Sequence, residues 1–195
     1  MRAAFLYLAN KGLVVRKRGA GTLVANQRID REVELTSLYD DLAASGRNPA
    51  TRVLKAEVSH ASDQVAEALQ LPERALVMSL ERIRLADGEP VALMHNHLPA
   101  GLVQLNIEML EQHGLYELLR AAGIGLYSAT HRMCAKNASA TEARLLEETR
   151  GTALLTMERI AYDQADRPVE FARHLYRASR YAFTTTFPRP EPVTG

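Results

Sequence analysis

Two arginines in the stretch LERIRLADGEPV, Arg82 and Arg84, stand two positions apart. Alternate residues of an extended strand share a face. Both guanidinium groups therefore point the same way, in the register of Leu76, Met78 and Leu80, residues expected to pack a core. Arginine presents a planar fork that grips carboxylate or phosphate through paired hydrogen bonds, so two forks on one row make a site for a small anion. The alternative is an internal network with carboxylates on neighbouring strands. A second run, PVEFARHLYR, puts Glu170, Ala172, His174 and Tyr176 on one face, acceptors and hydroxyls suited to the same cavity. HGLYELL starts a helix at Gly114, and free N–H groups at a helix start attract anions.

Other reactive side chains are less suggestive. His95 and His97 share a strand face and His-x-His is a possible metal pair. No cysteine or carboxylate in the neighbouring motifs completes a ligand set, so neither metal nor other cofactor is expected. The two rings are expected on the less buried face or at a dimer contact. Cys134, the single cysteine, lies in HRMCAK without a second thiol and reads as a small buried hydrophobe. The one combination that could supply a positioned acid, base or nucleophile is Glu170 with His174 and Tyr176, and each serves equally as a ligand contact.

The elements that must position these residues alternate short helices with strands from about Thr36. A helix runs from a Thr36/Ser37 cap to Gly46, a strand covers 52–59, and Ser62 caps a helix ending by Leu71-Pro72. The arginine strand follows, turning at Asp87-Gly88 into VALMHNHLP. A helix spans 114–123 and a strand 126–136, and Ser139 with Glu142 makes a capping box for a helix to about Thr149. Strands ALLTMERIAYD, PVEFARHLYR and YAFTTTF close the chain. SLERIRLADGEPVA and TMERIAYDQADRPVE echo one another, with one extra residue in the second turn. Two similar hairpins imply a sheet with approximate internal symmetry, and the fold class is α+β with a mainly antiparallel sheet.

The N-terminal region is organised differently. Residues 1–28 hold six basic and no acidic residues, so an overall charge of +1 conceals +6 there and −5 in the rest. In RAAFLYLANKGLVVRKRGAGTLVA, a helical stripe ends at Lys11-Gly12. Two short β runs follow, joined by a cationic tip where Gly19 and Gly21 permit a sharp turn. A helix in a groove with a wing on phosphate is one reading of Arg2, Lys17 and Arg18; a solvated charged hairpin is the other. Residues 26–34 suit a linker, 35–187 the main domain and 188–195 a tail. No apolar run approaches the ~20 residues of a membrane helix and no signal pattern is present, so a cytoplasmic protein with no membrane partner is expected.

Residues 1–25 resemble the end of the winged helix-turn-helix of GntR transcription factors, with Leu23 where the family usually has Phe. The chain starts inside or just after the recognition helix, so on its own it is expected to bind DNA weakly or not at all. From about Thr36 to Phe183 the chain resembles the UTRA effector-binding domain of the HutC subfamily. The resemblance rests on R-I-R-x-A-D-G-x-P, the L-P after the return strand, G-L-Y-E-L-L, A-S-A-T-E-A-R-x-L and P-V-E-F-x-x-x-x-Y-R-x-x-R-Y-x-F. It implies a chorismate-lyase-like fold, a homodimer, operator DNA as partner, and an effector contacted by Arg82, Arg84, Gly114, Leu115, Tyr116, Glu170 and Tyr176, with Met94 expected at a further position of the same pocket. The family often has Glu where Met94 stands and Ser where Gly114 stands. A pocket lacking those groups discriminates differently, which leaves a small acidic metabolite, phosphorylated or carboxylated, as the expected effector class. The expectation is a ligand-responsive regulator, a repressor rather than an enzyme; the alternative is a stand-alone enzyme or binding protein of the same fold.

Overall fold

A computed structural model describes residues 37–184 in full and the backbone of 14–17, 21–24 and 29–32. Near the N-terminus, β1 (Val14–Lys17) and β2 (Gly21–Val24) form an antiparallel hairpin in which Lys17 pairs with Gly21. The hairpin expected there is thus present in its strands. Its tip, Arg18 and Gly19, the helix expected before it and Arg2 lie outside the described residues, as does the expected tail. Strand β3 (Ile29–Glu32) lies inside the segment read as a linker. It pairs in parallel with β10 (Tyr181–Thr184), Tyr181 opposite Ile29 and Phe183 opposite Arg31. A polar, aperiodic stretch gives no period-two signal, and its partner is remote in sequence, so nothing local announces this strand.

The main domain is a six-stranded, wholly antiparallel sheet in the order β4 (Pro49–His60), β5 (Leu76–Ala86), β6 (Glu89–Pro99), β9 (Pro168–Arg177), β8 (Ala153–Tyr162), β7 (Ser128–Asn137). The two echoing hairpins, β5–β6 and β8–β9, lie side by side at its centre, joined through β6 and β9. Asp87 and Gly88 turn the first with positive φ at both positions (53° and 84°), the backbone that a two-residue Asp-Gly hairpin requires. The longer second turn is held by Asp163, whose Oδ1 accepts from the N–H groups of Ala165 and Arg167 at 2.9 and 3.0 Å.

Helices cover both faces. On the arginine face lie α1 (Leu38–Ala44), α3 (Ile107–Gln112) and α4 (Leu115–Ala121), burying Leu38, Leu42, Leu110, Leu118 and Leu119 against Leu80, Ala92, Leu98 and Met157. On the other face α2 (Asp63–Ala68) packs on Val77 and Phe171, and α5 (Ala140–Leu145) on Ile83, Leu93 and Leu154. The caps at Ser37, Ser62 and the Ser139/Glu142 box form as expected. Helix α3, capped by Asn106, whose Oδ1 accepts from Met109 N–H at 2.8 Å, was not anticipated; six residues are too few for helical periodicity to register.

Two burial expectations are corrected. Leu76 does not pack a core: it is 50% exposed at the outer end of β5, beyond the reach of the helices, whereas Leu80 is buried as expected. Cys134 is exposed rather than buried, because β7 is an edge strand with no helix over that stretch.

Candidate anion-binding site

Arg82 and Arg84, on β5, are fully buried at 0% and 1% exposure, beneath α1 and the start of α4. They line one cavity with Ser37, Leu38, Met94, Asn96, Leu115, Tyr116, Arg159, Glu170 and His174. Of the residues expected to contact an effector, Arg82, Arg84, Met94, Leu115, Tyr116 and Glu170 converge here. Gly114 caps α4 close by without lining the cavity; a Cβ there would come within 3.3 Å of Ser37 Oγ and 3.4 Å of Tyr39 Cβ. Tyr176 stands one layer back, behind His174.

The structure adds Arg159 and Asn96, and His174, which the sequence puts on the same strand face as Glu170, also lines the cavity. Arg159 occupies in the second hairpin the place Arg82 has in the first, each in Glu-Arg-Ile, so the two guanidinium groups flank the β6–β9 pair from opposite sides. The internal echo was the signal that could have revealed it. Asn96 lies on β6 opposite Ala172, two residues beyond Met94 and so on the same face.

These side chains form a continuous network around a single carboxylate. Glu170 Oε2 accepts from Tyr116 Oη at 2.6 Å and from an Arg159 terminal nitrogen at 3.2 Å. Its Oε1 accepts from Asn96 Nδ2 at 2.6 Å. Asn96 Oδ1 accepts from Arg82 at 2.8 Å, its Nδ2 lies 3.3 Å from His174 Nε2, and His174 Nδ1 lies 3.0 Å from the Tyr176 hydroxyl. Arg84 donates to Thr51 Oγ1 and stacks 4.9 Å over the Tyr39 ring, as Arg159 does 4.7 Å over Tyr116.

The charges do not balance. Three buried guanidinium groups face one carboxylate, a surplus of two positive charges. Five arginine nitrogens, Nε and one terminal nitrogen of Arg82, Nε of Arg84, and Nε and one terminal nitrogen of Arg159, have no hydrogen-bond partner among the described residues. Burial pushes Arg82 down to about 10, because the attraction of Glu170, itself weakened by the repulsion of Arg159, does not make up for lost hydration. Burial and the neighbouring Arg82 push Arg84 down to about 9. Burial acts on Arg159 too, yet Glu170 in direct contact outweighs it and raises this arginine. Arg82 and Arg159 shift oppositely because Arg159 touches the carboxylate whereas Arg82 reaches it only through Asn96. All three remain cationic at neutral pH. The volume within the cavity is about 10 Å³, the space of roughly one water molecule.

His95 and His97 point to the opposite face, half-buried in a groove of about 450 Å³ with Lys136, Glu142, Glu158 and Arg173. Burial pushes both imidazoles below their ordinary value. Among the described residues, no group of three or more His, Cys, Asp or Glu is placed to hold a metal ion, and no helix is long and apolar enough to cross a membrane.

The buried cations thus lie in a small cavity of an antiparallel sheet beneath short helices. Residues 44–182 match the UTRA domain family. The chain is 32% identical to the HTH-type transcriptional repressor PhnF of Mycolicibacterium smegmatis over 87% of its own length and 70% of that protein. It is 28% identical to the HTH-type transcriptional repressor NagR of Bacillus subtilis over 94% of this chain and 76% of that one. A Streptomyces coelicolor protein solved as a candidate transcriptional regulator superposes with a TM-score of 0.67 at 48% identity, covering 70% of this chain and 91% of that one. The crystal structure of PhnF from Mycobacterium smegmatis superposes with a TM-score of 0.79 at 28% identity, covering 97% and 84%. The chain belongs to the UTRA-domain family of GntR-type transcriptional regulators.

Proposed function

We propose that the domain senses a small dianionic metabolite, a phosphate monoester or a dicarboxylate, at the cavity formed by Arg82, Arg84 and Arg159, and that in a homodimer this binding governs operator DNA recognition as a repressor. The observation that carries the reading is, among the described residues, the surplus of two buried positive charges with five unpartnered donor nitrogens. A buried charge without a counter-charge is unfavourable, and a dianion supplies both the missing charge and the missing acceptors. Neighbouring Tyr116 and Glu170 take ligand hydroxyl groups, while Met94 presents an apolar wall. The effector favours one arrangement of the dimer and so alters the spacing of the two DNA-binding modules. Glu170 and His174, which line the cavity, serve as ligand contacts in this reading, with Tyr176 behind them and no turnover of the ligand.

The test is a thermal-shift screen of phosphate monoesters, inorganic phosphate and dicarboxylates against the protein and its Arg82→Ala and Arg84→Ala variants. At a concentration one hundred times Kd, a ligand stabilises by about 2.7 kcal/mol; each variant is expected to lose that response. An unchanged response in both variants would overturn the site assignment. Steady consumption of any ligand in the screen would favour an enzyme instead.

A further inference from the structure

We propose that filling the anion cavity pins strand β3 to the domain, through a chain of contacts from Asn96 by way of His174 and Tyr176 to Tyr181 on β10. The inference rests on reading the cavity as the effector site and assigns a route by which that site acts on the segment leading to the basic N-terminal region.

The route is continuous. Arg82 holds Asn96 Oδ1 at 2.8 Å, which turns the amide nitrogen towards both Glu170 and His174 Nε2. With that nitrogen donating to Nε2, a neutral His174 carries its proton on Nδ1 and donates to the Tyr176 hydroxyl oxygen 3.0 Å away. The Tyr176 ring stacks on Tyr181 with centroids 4.3 Å apart and planes 18° from parallel, and Phe183 closes the trio edge-on at 5.3 and 5.0 Å. His174, Tyr176 and Tyr181 are at most 2% exposed, so none can turn without its neighbour moving. Tyr181 and Phe183 belong to β10, whose backbone pairs with β3.

The geometry also gives a direction. Arg82 keeps Nε and one terminal nitrogen unpartnered while its other terminal nitrogen holds Asn96. An anion can therefore accept from one of these N–H groups without taking Arg82 from the amide. Relieving the repulsion among three buried cations holds the Arg82 fork still. That fixes the orientation of Asn96, the tautomer of His174 and the hydroxyl of Tyr176. The anion stabilises the relay it finds, and by linkage docking of β3 raises anion affinity by the same factor.

Hydrogen exchange on the 195-residue chain, with and without saturating inorganic phosphate, tests this, with saturation set for each variant by its own thermal shift. Phosphate is expected to slow exchange at 29–32 and 181–184 by about fivefold or more. In Tyr176→Phe, which keeps the ring stack but loses the hydroxyl on His174, the slowing should fall below about twofold. In Phe183→Ala it should likewise shrink at 29–32. If phosphate stabilises the protein but leaves 29–32 unchanged, or speeds their exchange, the relay is wrong and the site reading stands. If phosphate, phosphate monoesters and dicarboxylates all fail to stabilise, the site reading falls and the relay with it. Full slowing in Tyr176→Phe, or loss of phosphate binding in that variant, would also overturn the relay.

Discussion

The three cavity arginines are chemically alike but differ in what each leaves behind when removed. Arg159 is the direct ion-pair partner of Glu170, at 3.2 Å with both side chains at most 3% exposed. Replacing it with methionine strands a buried carboxylate between Tyr116 and Asn96. Breaking a buried pair from one side costs about 3–5 kcal/mol. Arg84 pairs with no carboxylate among the described residues; it donates to Thr51 and is repelled by Arg82. Arg84→Met removes an uncompensated charge and keeps much of the volume, so unfolding stability should change by less than about 1 kcal/mol or rise, while the response to anions disappears. Urea titrations of the two variants separate the roles; equal losses would mean that Arg84 is as fully compensated as Arg159. The row of Arg82 and Arg84 was legible because charged residues on a core-facing register need a reason. Arg159 carried the same oddity in the same Glu-Arg-Ile context, but its strand lacks a second arginine, since Ala161 stands where Arg84 does.

At the scale of elements, what could be read depended on whether the deciding contacts are local. Helix caps and the Asp87-Gly88 turn are fixed within four residues and were legible. Strand β3 depends on β10, about 150 residues on, and the exposure of Leu76 and Cys134 depends on where the covering helices end. A long-range fastening of this kind is Arg177 at the end of β9. Its Nε donates to Glu148 Oε1 at 2.7 Å and a terminal nitrogen to the Pro90 carbonyl at 2.8 Å, while Ser179 Oγ donates to the same Glu148 oxygen at 3.0 Å. One guanidinium thereby clamps the segment after α5 to the start of β6. Partial burial alone would raise Glu148, but the bonds from Arg177 and Ser179 outweigh it and lower the carboxyl below its ordinary 4.5. A carboxyl depressed in the folded state contributes stability that is complete above its unfolded value and fades as pH falls through the folded one. Stability should therefore decline from about pH 5 downward. The Glu148→Gln variant should be less stable at pH 7 and show a shallower acid decline in urea midpoints; an identical slope would remove Glu148 from the clamp.

At the scale of the whole molecule, charge is divided by position along the chain: +6 over residues 1–28 and −5 over the rest. Like-signed charge repels nucleic acid, so the later residues as a group are unsuited to a phosphate backbone, and the early ones are suited to it. Chain order then places β3 between the basic segment and the cavity domain, while β10 holds β3 from the far end of the same domain. Binding to duplex DNA should draw on these early cations. Each neutralised phosphate contributes about −0.9 to the slope of log affinity against log salt. Six basic residues therefore set a contribution from this segment of at most roughly −5 per protomer. Replacing Lys17 and Arg18 with alanine should reduce the slope by about two per protomer while leaving the anion-induced thermal shift intact, because the described lining of the cavity comes from residues between Ser37 and His174. A titration across salt concentrations decides it. Affinity insensitive to salt, or a slope unmoved by the double substitution, would separate the wing from DNA recognition.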